Sequence, residues 1–275
     1  MSLIILGLAV LVSIPIYKNY RAYINSGPGG LPHNALGWLK ATSLKPFGHE
    51  QISTEMYDED PNQESWLAPD GPGDKTEPQD LKDLKDADAY ELEPLENILP
   101  RRRGLRPPTS WHFIPHRQLA DGSPLHIRRH SHAHEQQVVE SLYNLARANP
   151  GVIALDMSPH ERIHQALVVA PALRSPHATA NAALREIAHV HESTDGSLHV
   201  VLAPADCKIV ITHGWGQRHP LSHPHRRQLW KTGVTSLPKE YLMIYAPRSE
   251  AEVQIVMRIV RAAAGFMTGS RNIKG

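Results

Sequence analysis

REIAHVHESTDGSLHVVLAPADCKIVITHGWGQRHPL, spanning Arg185 to Leu221, holds His189, His191, His199, His213 and His219 together with Trp215, Gln217 and Arg218. After the Asp195-Gly196 turn signal, Ser197 to Ala203 (SLHVVLA) is β-branched and mostly apolar, which predicts a largely buried strand. Thr179 to Val190, with apolar Ala182, Ile187 and Val190 among good helix formers, predicts a helix ahead of it. On that reading His189 and His191 leave the helix C-terminus side by side, and His199 enters the strand across the turn. Three imidazoles then meet. Imidazole is the side chain whose unperturbed pKa lies near physiological pH, so such a group suits proton transfer or metal ligation. The ordinary alternative is a His that caps helix carbonyls. With 18 His in 275 residues, some clustering is also expected by chance.

The flanking elements follow from periodicity. Glu135 to Ala148 places Val138, Val139, Leu142, Leu145 and Ala146 at helical spacing and ends in Asn149-Pro150-Gly151, which predicts a core helix. Val152 to Ser158 and Gln165 to Pro171 read as strands, and Glu240 to Ala246 as another. Pro204 to Trp215 reads as a short helix delivering the GWGQRHP loop, and Ser222 to Pro238 as an exposed basic loop. Ser249 caps a final helix with Glu252 as its capping-box partner, and Val253, Val256, Met257, Val260 and Ala264 form the buried stripe. The order predicts an α+β fold: a single small domain with a four- to five-stranded sheet covered by helices, plus an N-terminal membrane anchor. No Rossmann fingerprint, P-loop, HExxH, GxSxG or CxxC occurs, so nucleotide cofactors and the common hydrolase schemes lack support.

The motifs GWGQRHPL (Gly214 to Leu221), LMIYAPRSEAE (Leu242 to Glu252) and IVRAAAGFMTG (Ile259 to Gly269) follow HVH and SLH in fixed order. Upstream, LPRRRGLRPPTSWHFIPHRQ (Leu99 to Gln118) belongs with them. This set resembles the luciferase of bioluminescent fungi and the wider family of luciferase-domain proteins, many of which emit no light. The resemblance covers most of the chain in fragments and is dense in the last hundred or so residues. It implies oxidation of a hydroxylated α-pyrone, 3-hydroxyhispidin, by molecular oxygen as co-substrate, through an endoperoxide that loses carbon dioxide. Such chemistry needs a base poised near neutral pH to make the enolate, and the candidates are His189, His191, His199 and His219. Arg218 or Arg248 is expected to stabilise the enolate and the developing carboxylate, Trp215 to stack on a planar substrate, and Gln217 to contact it. No organic cofactor is expected. The alternative to metal-free acid/base chemistry is a Zn or Fe ion on His189, His191, His199 and His219, with no carboxylate clearly placed to join them beyond nearby Glu192 and Asp195. A different class of reading is a non-catalytic, membrane-tethered module that binds a small molecule or a partner.

Charge is unevenly distributed. Glu55 to Glu96 holds 15 of the 28 acidic residues but only three of the 29 Lys and Arg, leaving 13 acidic and 26 basic residues elsewhere. A basic remainder suits an anionic small molecule, an anionic membrane or the acidic segment itself, and no motif supports nucleic acid as a partner. One cysteine, Cys207, and no Asn-x-Ser/Thr sequon fit a reducing location.

Leu3 to Tyr17 is an uncharged apolar run followed by Lys18 and Arg21, with Tyr20 and Tyr23 at the expected interface. A 15-residue helix reaches about 22 Å, short of the roughly 30 Å hydrocarbon core, so the tyrosines are needed to complete a span. The expectation is a single-pass endomembrane anchor at 1–24 with the domain cytosolic. A juxtamembrane segment at 25–67 follows, including a short helix at Leu36 to Leu44 that reads either as amphipathic, with Trp38 and Lys40 near the headgroups, or as a plain linker helix. Residues 68–98 are expected to be an acidic disordered linker and 99–275 the luciferase-like domain. Trp111 to Gln118 reads as a strand or extended arm whose His112 and His116 line the site. HIRRHSHAHE, Arg-rich and without carboxylates at ligand spacing, reads as an exposed helix entry rather than a metal site.

Overall fold

Asn149-Pro150-Gly151 stops a helix and turns the chain directly into a hairpin, with Gly151 at φ +79°, a conformation that favours a residue without a Cβ. The computed structural model describes residues 2–25, 30–68, 99–102, 132–192, 195–223 and 236–275. The expected acidic linker, the Trp111 to Gln118 arm with His112 and His116, and most of the expected basic loop lie outside the described residues.

The N-terminal helices are α1 (Ser2–Asn25) and α2 (Ala35–Leu44), and the helix ending at the Asn-Pro-Gly turn is α3 (His132–Ala148). The hairpin pairs β1 (Ile153–Met157) with β2 (Gln165–Val169). A short helix α4 (Ala178–Ala182) leads to β3 (Glu186–Val190), then β4 (Leu198–Val201), helix α5 (Pro204–Thr212) and β5 (Gly216–Arg218). β6 (Ser222–His223), β7 (Leu237–Pro238), β8 (Tyr241–Ile244) and α6 (Glu250–Thr268) complete the order. One antiparallel sheet runs β1-β2-β3-β4-β8-β5, and β6 pairs with β7 in a small parallel sheet. This is an α+β domain, with six strands in its main sheet rather than four or five.

The two extra strands have physical explanations. The helix expected over Thr179 to Val190 shrinks to α4, because Leu184 and Arg185 take left-handed backbone at φ +53° and +69° and cannot continue it. Residues from Glu186 onward then find hydrogen-bond partners on β2 and β4, and pairing overrides the local Ala-rich preference. β5, expected as a loop, lies along β8, where a Cβ on Gly216 would come within 2.5 Å of the Met243 carbonyl. Only glycine lets the two backbones approach there.

α3 and α6 pack against one face of the sheet, α6 crossing β2, β3 and β4. Alternation along the paired strands assigns Ala188, Val190, Leu198, Val200, Leu242 and Ile244 to that face, all buried. α6 is buried almost all round. Its expected stripe of Val253, Val256, Met257, Val260 and Ala264 is in the core, and Ser249 caps it by accepting from the Glu252 amide at 3.2 Å. Glu252 does not close the expected box. Its carboxylate accepts instead from the Arg248 amide at 2.9 Å and from Arg102 at 3.0 Å.

Residues 49–68 belong to the same core. Tyr57, Trp66 and Leu67 are buried in it, and the Asp206 carboxylate on α5 accepts from the amides of Trp66 at 2.9 Å and Leu67 at 3.3 Å. Leu99–Arg102 is strapped to the α5–β5 corner: the Arg102 amide donates to His213 O at 2.8 Å, and Trp215 Nε1 donates to Pro100 O at 2.5 Å.

The expected single-pass anchor finds no support, since no helix among the described residues is long and apolar enough to cross a membrane. α1 is 24 residues long, yet its apolar run stops at Tyr17 and the remainder carries Lys18, Asn19, Arg21 and Asn25. α2 folds back on it. Trp38, expected near lipid headgroups, donates through Nε1 to Asn19 at 2.9 Å and meets Tyr20 edge-on at 5.7 Å.

Candidate active site

The face of the sheet away from α6 carries the chemistry. His189 on β3 sits directly across from His199 on β4, and His191 lies two residues on from His189, so all three project from one side. Tyr241 on β8 joins them, its ring 4.8 Å from His199. His219, just beyond β5, lies 5.4 Å from His199, while His191 and His199 are 4.7 Å apart, all between ring centroids. The four histidines named from the sequence therefore do come together, though from strand faces rather than from a helix end.

Sequence reasoning missed Glu161. It lies in the β1–β2 connection Ser158 to His164 (SPHERIH), which folds over the histidines. Ser158 Oγ accepts from the amides of His160 at 3.3 Å and Glu161 at 3.2 Å, and Arg162 next door takes φ +60°. A left-handed non-glycine residue is costly and is tolerated where surroundings hold it. Glu161 Oε1 is 3.2 Å from His191 Nε2 and 3.8 Å from His199 Nε2, and Oε2 is 3.4 Å from His189 Nε2. His164 stacks against His189 at 6.2 Å. Glu161, His164 and His191 retain 16%, 11% and 13% side-chain exposure, which marks the open side of an otherwise closed cluster.

Glu186, also missed, organises the buried floor. A β-bulge between Leu167 and Val168 of β2 and Glu186 to Ala188 of β3 breaks strict alternation and turns Glu186 toward the cluster. There it accepts from His189 Nδ1 at 2.8 Å, the Tyr241 hydroxyl at 2.8 Å and the Ser158 hydroxyl at 2.6 Å. Burial pushes the Glu186 carboxyl up, but the His189 charge and these donors outweigh it and hold it below its ordinary range.

The ring orientations can be assigned. The Glu186 carboxylate can only accept, so His189 Nδ1 carries a proton. Ser197 Oγ donates to Asp195 at 2.6 Å and therefore accepts from His191 Nδ1 at 2.9 Å. His199 Nδ1 donates to the Leu242 carbonyl at 3.3 Å. His219 is the opposite tautomer: its Nδ1 accepts from the Leu221 amide at 3.0 Å, so its Nε2 carries the hydrogen.

Electrostatics split the four rings into two pairs. Burial lowers all four, but beside Glu186 and Glu161 His189 rises to about 9, and beside Glu161 and Asp195 His191 rises to about 10. Glu161 falls well below the usual carboxylate range because His191 and His189 outweigh its burial. His199 and His219 go well below the ordinary value, by burial first and then by the neighbouring imidazolium charge. Two positively charged and two neutral imidazoles thus share one carboxylate.

The residues expected to bind substrate engage other partners. Trp215 is fully buried with the Arg102 guanidinium 5.5 Å from its ring. Arg218 binds Glu50 O and the Glu50 carboxylate, each at 2.9 Å, and Ser53. Gln217 bonds Gln51 and accepts from the Tyr245 hydroxyl at 2.8 Å. Arg248 pairs with Glu252. Trp215, Gln217 and Arg218 each tie a distant segment to the domain, whereas the Arg248 pair is local to the start of α6.

The luciferase domain family model matches residues 184–263, the span from the turn before β3 into α6. A luciferase of Armillaria gallica is 30% identical over 271 residues, covering 96% of this chain and 86% of that protein. A luciferase of Neonothopanus nambi is 30% identical over 271 residues, covering 95% and 85%. One of Armillaria ostoyae is 30% identical over 261 residues, covering 92% and 82%. No solved structure matches. The chain belongs to the fungal luciferase family.

Proposed function

We propose that this protein is an oxygenase-type enzyme that oxidises a planar, enolic small molecule of the hydroxy-pyrone class with molecular oxygen, at the histidine cluster on the face of the sheet away from α6. One observation carries the reading: four imidazoles, a tyrosine hydroxyl and Glu161 converge on one face, within the chain of a luciferase-family member. An enol must lose its proton before it reacts with oxygen, and groups of opposite protonation state side by side suit that transfer. His219 presents a neutral N–H donor away from the Leu221 amide, suited to an enolate oxygen. Tyr241 keeps its proton, because burial and the nearby Glu186 and Glu161 push its hydroxyl well above the ordinary range. His219 can therefore donate to developing negative charge without itself being charged, while the Tyr241 hydrogen is held by Glu186 at 2.8 Å.

The test mixes the full-length chain with 3-hydroxyhispidin in air and follows oxygen uptake and photons together. Oxygen loss with light supports a working luciferase, and oxygen loss in the dark a pyrone oxygenase without emission. Folded protein that consumes no oxygen would sink the proposal. A shortened chain starting near Asn97 is unsuitable, since Tyr57, Trp66 and Leu67 are core residues.

A further inference from the structure

The hydrogen bonds on the outer edge of the cluster fix which nitrogen of three rings faces its centre. His189, His191 and His199 each spend the Nδ1 hydrogen outward, on the Glu186 carboxylate, the Ser197 hydroxyl and the Leu242 carbonyl. In its neutral form each ring then points an Nε2 lone pair inward. All three Nε2 atoms face the Glu161 carboxylate, at 3.4, 3.2 and 3.8 Å. His189 Nε2 is fully buried and has no hydrogen-bond partner, at the heart of a polar cluster. Without an ion, the protons on His189 and His191 balance the Glu161 carboxylate; a metal ion that displaces them takes up the freed Nε2 lone pairs and does the same work.

We infer that Glu161, His189, His191 and His199 bind one divalent first-row transition-metal ion, their four donor atoms lying within 4.8 Å of one another. An ion bonded at about 2.0–2.2 Å to nitrogen and oxygen holds its ligands roughly 3–4 Å apart, so small side-chain rotations close the site. The outer hydrogen bonds are those a ligating histidine requires: its second nitrogen donates to a carboxylate, hydroxyl or carbonyl, which fixes the tautomer and aims the lone pair. The bulge that turns Glu186 inward and the Ser158 turn that sets Glu161 position these groups from two separate loops. Three imidazoles and a carboxylate, with no thiolate, suit Fe(II), Mn(II), Co(II) or Zn(II) rather than Mg or Ca. Cys207 is not part of the set, being buried against the Leu202 and Glu240 carbonyls. His164 and His219 remain beside the site as proton-handling groups.

The inference deepens the function proposed above and rests on it only for the ion's part in turnover. The full-length chain, made without a histidine tag and stripped with chelator, is loaded anaerobically with Fe(II), Mn(II), Co(II) or Zn(II), desalted and measured by elemental analysis. The expected result is about one ion per chain for at least one metal, visible absorption bands for the Co(II) form, and a higher melting temperature on loading. Glu161→Gln, at the partly exposed mouth, is expected to fold normally and to bind at least about tenfold more weakly, and Ser197→Ala to weaken binding by about tenfold through the freed His191 ring. Folded, stripped protein that takes up none of the four metals overturns the inference, as does a Glu161→Gln protein with unchanged affinity. Oxygen uptake that continues undiminished in chelator-stripped protein removes the ion from the reaction and leaves the proposed function standing. One bound ion with no oxygen uptake does the reverse.

Discussion

At the scale of single residues, Glu186 shows what the buried floor requires. Its carboxylate receives three donors, from His189, Tyr241 and Ser158, with no exposure to water. Glu186→Gln replaces one accepting oxygen by an NH2 group that faces donors. Hydrogen bonds to charged groups are worth about 1.5–3 kcal/mol, and an orphaned buried partner costs about as much, so a loss of roughly 2–4 kcal/mol in denaturant unfolding is expected. Asp206 offers a pH prediction. Burial raises its carboxyl to about 6 despite the donors from Ser65, Trp66 and Leu67. A folded-state pKa above the unfolded value means that protonation favours the fold, so the wild type loses stability relative to Asp206→Asn as pH rises from about 4 to about 6, and the difference is constant above that. Melting temperatures of the two proteins across this range check it. The legibility of the site also turns on single residues. His189, His191 and His199 could be named because they lie within eleven residues of one another around a turn, although the helix end assigned to the first two is in fact the end of strand β3, paired with β4. Glu161 could not, because it lies 28 residues before His189 and reaches the cluster only through the fold of the β1–β2 hairpin.

Elements explain why other expectations shifted. Thr179 to Val190 has helix-forming composition, yet two left-handed residues and a free edge on β2 turn its second half into β3. Local preference was readable there and the pairing partner was not. Motifs assigned to substrate show the same gap. Arg218 and Gln217 hold residues 50–53, and Trp215 with Arg102 holds Leu99–Arg102, contacts separated by more than a hundred positions. The AAAG run of α6 has its reason here too: a Cβ on Gly265 would stand 2.7 Å from the Trp66 ring. Gly265→Ala is therefore expected to displace Trp66 and cost about 1–3 kcal/mol, an overpacking penalty that outweighs the helix-propensity gain of alanine. Chemical denaturation checks the magnitude, and quenched or shifted tryptophan fluorescence checks the cause.

Across the whole molecule, the domain is one core assembled from separated stretches. Tyr57, Trp66 and Leu67 lie in that core beside residues of α3, α6 and the sheet. Burying each such side chain contributes about 1.5–3 kcal/mol, so losing all three removes roughly 5–9 kcal/mol from a typical total of about 5–15. A chain truncated to begin at Asn97 is expected to lack a cooperative thermal transition, whereas one beginning at His49 keeps it; calorimetry separates the two. That single core also holds the site, because the strand faces, the 158–164 loop and the Leu221 turn all have to be in register before four imidazoles meet Glu161. The most direct measurement compares oxygen uptake by the full-length wild type and His191→Ala with 3-hydroxyhispidin, with the melting temperature of each recorded alongside. The histidine-centred account predicts a loss of at least about a hundredfold in the variant while the fold is kept. Full uptake by folded His191→Ala would contradict it.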